Sequence, residues 1–275
     1  RSLPLRAMSS ESKSVNPSYP PVQRLRVVLV GTQHPGNMGS AARAMKTMGL
    51  ARLVLVAPEK RPNEESYALA AGADDVRGDA PACETLAEAV ADCRLVLGCT
   101  ARSRRVQLEE LMPRDAAARA VKQAAGGSEV ALVFGRERTG LTNDELQLCH
   151  ASVHIPANPD YSSLNLAAAV QVLSYELRLA LLESASDEPE ANGHEGAGKE
   201  EPRDLPASHA EMEGFFAQLA ETLDAIDFHK GRAPESAMRK LRRLYLRAGL
   251  DAREVRILRG ILADAQRMAM LAGSK

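Results

Sequence analysis

The chain has 275 residues, a formal net charge of −1 and a mean hydropathy of −0.24. That length suits one sizeable core plus a smaller second unit, and the near-zero charge excludes a global field for nucleic acid, so any basic surface must be local. Cys83, Cys93, Cys99 and Cys149 show no CxxC spacing and the histidines form no HxxxH or HExxH pattern, which points to buried thiols of a cytosolic protein, with neither a disulfide framework nor a metal site. No apolar run approaches the roughly 18 residues of a membrane span.

Residues 1–23, rich in Ser and Pro and lacking a signal-peptide core, read as a disordered leader. Leu25 to Val30, with Arg26 inside it, is short, β-branched and continuous rather than alternating, the pattern of a buried strand. A loop dense in Gly and polar residues follows, Gly31-Thr32-Gln33-His34-Pro35-Gly36-Asn37-Met38-Gly39-Ser40. Next comes a helix with Ala41, Ala44, Met45 and Met48 on one face, Arg43, Lys46 and Thr47 on the other, and Gly49 as its stop. Arg52 to Val56 is the next strand, completing a βαβ unit and hence a parallel pair. The dinucleotide fingerprint GxGxxG is missing, and no acidic residue ends the second strand, so an oxidoreductase reading is weak.

Glu64 to Gly72 reads as a helix and Ala87 to Val90 lies in another. Strand Leu95 to Gly98 then exits into Cys99-Thr100-Ala101-Arg102-Ser103-Arg104-Arg105, where small residues leave room for a ligand and three arginines follow. Asp115 to Ala125 is a helix and Val130 to Phe134 a strand leading into Gly135-Arg136-Glu137-Arg138-Thr139-Gly140-Leu141. Thr142 and Glu145 form a capping box. A strand Val153 to Ile155 precedes a loop broken by Pro156 and Pro159. A helix is expected to restart at Ser162-Ser163, with Leu166, Val170, Leu173, Leu177 and Leu181 on its core face. This alternation is the signature of an α/β parallel sheet.

From Glu183 to Asp204 the composition turns acidic and rich in Gly, Pro and Ala, as in a flexible linker. Three amphipathic helices are expected beyond it. Ser208 and Glu211 cap the first, which carries Met212, Phe215, Phe216, Leu219, Leu223 and Ile226. Pro234 opens the second, with Ala237, Leu241, Leu244 and Tyr245 on one face, and Asp251 and Glu254 cap a third with Val255, Leu258, Leu262, Ala265 and Met268. Arg239, Arg243 and Arg247 form a basic stripe suited to phosphate. The expected organisation is a leader over 1–23, an α/β domain over 24–183, a linker over 184–207 and a helical extension over 208–275.

Three segments carry a resemblance: Asn37-Met38-Gly39-Ser40-Ala41-Ala42-Arg43, Val133 to Leu141, and Ile155-Pro156 with Ser162-Ser163-Leu164-Asn165-Leu166-Ala167. In order and spacing they resemble the three motifs of the SpoU/TrmH-type RNA ribose 2′-O-methyltransferases of the SPOUT class. The match runs from about Leu25 to Glu183. His34 to Ser40 and Ala131 to Arg138 look like the TrmJ-type branch, which methylates the ribose at position 32 of the tRNA anticodon loop, cytidine or uridine.

The resemblance implies a Rossmann-like parallel sheet ending in a trefoil knot, a rare exception to chain topology. It further implies a homodimer with its site at the subunit interface, S-adenosylmethionine as cofactor and tRNA as substrate. By the same carry-over, Thr100, Ala101, Gly135, Ile155, Ser162, Ser163 and Leu164 would hold the cofactor. Arg43 would be the catalytic residue, with Asn37, Glu137, Ser163 and Asn165 shaping the site. Since a guanidinium stays charged in almost all settings, Arg43 is expected to hold the adjacent phosphate and polarise the ribose hydroxyl, with full deprotonation left open as the alternative. Arg102, Arg104 and Arg105, with the Arg239, Arg243 and Arg247 stripe, would contact RNA phosphates. The competing readings are the same chemistry on another tRNA position or on ribosomal RNA, and an RNA-binding factor without activity on this fold.

Overall fold

The computed structural model describes residues 20–73, 76, 80–101, 108–160, 163–187, 205–231 and 233–273. Most of the expected leader, most of the acidic linker, Arg102, Arg104, Arg105 and Ser162 lie outside the described residues.

Seven strands form one sheet: β1 (Leu25–Val30), β2 (Arg52–Val56), β3 (Ala82–Cys83), β4 (Leu95–Cys99), β5 (Glu109–Leu111), β6 (Val130–Phe134) and β7 (Ala151–Val153). Their order is β3-β2-β1-β6-β4-β7-β5, and every pair is parallel. Val28 sits opposite Val54 on one side and Val133 on the other, and Gly98 opposite Val133 and Ser152. Continuous apolar runs are what such central strands require, because helices cover both faces.

A short turn, α1 (Pro20–Gln23), precedes β1. Helix α2 (Pro35–Thr47) starts on a proline whose missing N–H would have had no partner anyway. It packs against α3 (Glu64–Ala70), and Gly39 permits the approach, since a Cβ there would fall 2.1 Å from the Ser66 carbonyl oxygen. On the other face, α4 (Leu86–Ala89) and α6 (Asn143–Gln147) bring Leu86, Ala89 and Leu146 against Val28, Val96 and Val133. Thr142 and Glu145 form the expected capping box.

Helix α7 (Leu166–Asp187) packs between α2 and α5 (Pro113–Ala125), and Leu166, Val170, Leu173, Leu177 and Leu181 face the core as their spacing implies. Its start differs from the expectation. The helix opens three residues beyond Ser163, with Asn165 Oδ1 accepting from the Ala167 N–H at 2.8 Å. The preceding strand also sits two residues earlier than Val153 to Ile155, because β7 ends where its ladder to β4 ends, at Cys99 opposite Val153.

The C-terminal helices α8 (His209–Ala225), α9 (Pro234–Ala248) and α10 (Ala252–Gly273) share a small core of Met212, Phe215, Phe216, Leu219, Leu223 and Val255. Phe215 meets Tyr245 edge-on at 4.8 Å between centroids. Leu244 and Met268, expected in this core, point outward instead, as does Ile226 at the end of α8.

This unit docks on the chain between α4 and β4: Cys93 and Ala91 carbonyls accept from the His209 and Ala210 N–H groups at 2.8 and 3.0 Å, and Arg94 donates to the Pro206 carbonyl. His209 is buried here and His150 half-buried. Val96 N–H donates to His150 Nδ1 at 3.0 Å, and burial, with His209, Arg119 and Arg242 nearby, pushes His150 down to about 4. Burial also lowers His209, against the pull of Glu213.

Candidate active site

The loops leaving β6, β4 and β7, three adjacent strands, converge at the carboxyl edge of the sheet. In open parallel sheets this is where crevices form. They line a cleft of about 380 Å³ together with the start of α7. From β4 come Cys99, Thr100 and Ala101, from β6 Phe134 to Gly140, from β7 Val153 and Ile155, and from the last turn Ser163, Leu164, Leu166 and Ala169. Of the residues expected to hold a cofactor, Thr100, Ala101, Gly135, Ile155, Ser163 and Leu164 all line this space.

Gly135 has a reason of its own to be glycine. A Cβ there would lie 2.2 Å from Gly140 C and Leu141 N, because the loop doubles back with Gly140 N–H donating to the Arg136 carbonyl at 2.8 Å. Arg136 is tied down by Glu145, with Nη1 at 3.0 and 3.1 Å from its two oxygens. This loop is therefore stiff, and it presents Glu137 at a fixed place.

Glu137 is the hub. Its Oε1 accepts from Asn37 Nδ2 at 2.9 Å and from the His34 N–H at 3.2 Å, while Oε2 accepts from the Gln33 N–H at 3.0 Å. Asn37 Oδ1 in turn accepts from Asn165 Nδ2 at 3.0 Å, and Asn165 caps α7. A single chain of hydrogen bonds thus links all three sequence segments. Partial burial pushes the Glu137 carboxyl up, but the Asn37 amide and the backbone N–H groups outweigh it and hold it below the usual carboxylate range. It is an anion that accepts hydrogen bonds, a poor proton acceptor near neutral pH.

Arg43 stands apart. It is exposed on α2, does not line the cleft and pairs with no described residue. Asn37 and Asn165 border the cleft only through Glu137 and α7. Arg239, Arg243 and Arg247 are exposed on α9 and do not line the cleft. The sequence reading missed the Gln33 and His34 N–H groups, since backbone donors leave no trace in residue type. It also missed Leu166 and Arg138, although a cation beside Glu137 in a Gly-bounded loop was a usable signal. Cys99 lines the cleft half-buried, and burial raises its thiol far above the usual range, so it is not a nucleophile. Among the described residues no group of His, Cys, Asp or Glu is arranged to hold a metal, and no helix is long and apolar enough to cross a membrane.

Comparison with known proteins agrees with this geometry. The model of the SpoU rRNA Methylase family matches residues 24–175, and that of the tRNA methyltransferase TrmJ, C-terminal domain, matches 210–273. The tRNA (cytidine/uridine-2′-O-)-methyltransferase TrmJ of Salmonella typhimurium is 50% identical over 245 residues, covering 89% of this chain and 97% of its own. Its counterpart in Escherichia coli K12 is likewise 50% identical, over 89% and 96%. The crystal structure of TrmJ from Z. mobilis superposes with a TM-score of 0.71 at 34% identity, over 87% of this chain and 97% of that one. The structure of a "probable methylase family protein" from Haemophilus influenzae matches at 41% identity with a TM-score of 0.56, over 91% and 99%. With both family models matched and half its residues shared along nearly the whole length of those enzymes, the chain belongs to the SpoU methylase family, as a methyltransferase of the TrmJ type.

Proposed function

We propose that this protein transfers a methyl group from S-adenosylmethionine to the ribose 2′-oxygen of cytidine or uridine at position 32 of the tRNA anticodon loop. The observation that carries the reading is the Glu137–Asn37–Asn165 chain, which ties three distant segments to the rim of one cleft. Such a network is preorganisation: groups already held where a reacting ribose must sit need no reordering during reaction.

The residues present suit the cofactor. Ile155, Leu164 and Leu166 offer apolar faces to a purine, and the glycine-bounded loop brings backbone polar groups to its edge. When bound, the cofactor supplies an electrophilic methyl on a sulfonium. The chain's own part is to exclude water with this apolar wall, to fix Asn37 and Asn165 through Glu137, and to supply a cation for the ribose and its phosphate. Arg43 is our candidate for that cation. Because it is exposed and does not line the cleft of its own chain, we infer a homodimer in which the partner's Arg43 completes the site. A trefoil knot at the carboxyl end of the sheet is part of this reading.

Arg239, Arg243 and Arg247 would grip phosphates of the tRNA body, and Arg102, Arg104 and Arg105 would add further phosphate contacts. We assign the helical extension over 208–275 to tRNA binding and the domain over 24–183 to catalysis. The test is transfer of labelled methyl to bulk tRNA followed by mapping of the product. A 2′-O-methyl at position 32 supports the reading. A product elsewhere in tRNA or in ribosomal RNA rejects the target, and cofactor binding without transfer to any RNA rejects the reaction.

A further inference from the structure

Among the described residues, three charged side chains line the cleft: Arg136, Glu137 and Arg138. Two of them are committed. Arg136 is held by both oxygens of Glu145, and Glu137 accepts from Asn37, Gln33 and His34. Arg138 is exposed and makes no hydrogen bond or ion pair with any described residue, so its guanidinium remains available to a ligand. Its backbone is nonetheless fixed, because it lies inside the loop closed by the Arg136–Gly140 bridge.

The rest of the cleft explains the adenosyl part of a ligand and leaves the other end unanswered. Ile155, Leu164, Leu166 and the small residues Ala101 and Gly140 provide apolar and backbone contacts. S-Adenosylmethionine also carries an amino-acid end, whose carboxylate would enter a space already holding the anionic Glu137. A carboxylate there needs a cation, and a guanidinium answers it with parallel N–H donors that an ammonium cannot match. We propose that Arg138 is the cleft's anion anchor, binding the α-carboxylate of the cofactor's amino-acid end; this rests on the reading of the cleft as a cofactor site. Arg138 then fixes the amino-acid end, which orients the sulfur, and takes no part in the proton chemistry.

The experiment compares two neutral thioethers that differ in that end: S-adenosylhomocysteine, which has the carboxylate, and 5′-methylthioadenosine, which lacks it. Calorimetric affinities are measured for the unaltered protein, Arg138→Ala and Arg138→Lys, each checked for an unchanged melting temperature without ligand. S-Adenosylhomocysteine should weaken roughly 10- to 50-fold in Arg138→Ala and recover in part in Arg138→Lys, while 5′-methylthioadenosine stays unchanged. Equal weakening of both ligands would overturn the proposal and make Arg138 a loop residue. Unchanged S-adenosylhomocysteine with weakened tRNA would overturn it in favour of a phosphate contact. If the unaltered protein binds neither thioether, the cofactor reading itself falls, and the proposal falls with it.

Discussion

Asn37 and Glu137 lie 100 residues apart in sequence and 2.9 Å apart in space, amide donor to carboxylate acceptor. The pair explains why two unremarkable loops belong to one site. Asn37 sits in the first turn of α2, and Glu137 in the stiff loop after β6, so neighbouring strands β1 and β6 set their approach. Asn37 has its Oδ1 left over, which Asn165 takes.

Glu137→Ala should therefore damage both fold and function. It strips the acceptor from the Asn37 amide and from the Gln33 and His34 N–H groups, which are partly screened by solvent. A cost of about 2 kcal/mol is expected in denaturant unfolding, since hydrogen bonds to an ionised acceptor are worth more than neutral ones. Methyl transfer should fall by two orders of magnitude or more, because neither asparagine keeps its orientation. Full activity in this variant would remove Glu137 from the mechanism.

Asn165 allows its two jobs to be separated. Asn165→Ala should lose about 1 kcal/mol as a helix cap, as well as activity. Asn165→Asp keeps an oxygen for the Ala167 N–H but has no donor for Asn37 Oδ1. It should melt close to the parent and still transfer methyl poorly.

Arg43→Ala is expected to show the opposite profile to Glu137→Ala. An exposed side chain with no partner among the described residues contributes little to stability, within about 0.5 kcal/mol. Activity should nevertheless drop at least a hundredfold, with Arg43→Lys recovering only a small part. A large stability change would mean that Arg43 is structural.

The junction between the sheet and the C-terminal helices should be sensitive to acid. His150 is held near 4 against 6.5 when unfolded, so between those values the unfolded chain binds more protons than the native one. Stability is then complete above about pH 6.5, falls as pH drops toward 4, and is diminished by an amount on the order of 3 kcal/mol. His209 shifts in the same direction, with Glu213 partly opposing, and Arg119 and Arg242 add to the cost of charging His150. Denaturant midpoints across this range test it, and His150→Gln should flatten the dependence.

Replacing Arg239, Arg243 and Arg247 together with glutamine should weaken tRNA binding and reduce the slope of log affinity against log salt by about 2 to 3, roughly one unit for each phosphate no longer neutralised. Melting temperature should hold, since all three are exposed. An unchanged slope would place the RNA elsewhere.

Much of the fold can be read from the chain because local chemistry dictates it. Val27–Val30, Leu53–Val56 and Val130–Phe134 are unbroken apolar runs, and Thr142 and Ser208 announce their helices through Glu145 and Glu211. Ala82–Cys83 and Glu109–Leu111 are not legible because two or three residues, one set acidic, carry no pattern; each is a strand only because a neighbour pairs with it. Asn165 sits in a polar cluster where the serines look equally able to cap α7, since any of these side chains can accept from a helix N-terminus and only packing decides which does. Met268 and Leu244 mislead for a related reason: α9 and α10 carry more apolar residues than α8 can cover. The site residues are legible as an ordered set, but the hydrogen-bond order linking Glu137, Asn37 and Asn165 depends on strand order, which no local pattern contains.

The most direct test is methyl transfer from labelled S-adenosylmethionine to bulk tRNA, run with the parent protein, Arg43→Ala and Asn165→Asp, with products located by nuclease digestion and mass spectrometry. The proposed mechanism predicts a single 2′-O-methylated cytidine or uridine at position 32, absent with Arg43→Ala and strongly reduced with Asn165→Asp. The same product at undiminished yield from both variants would contradict it.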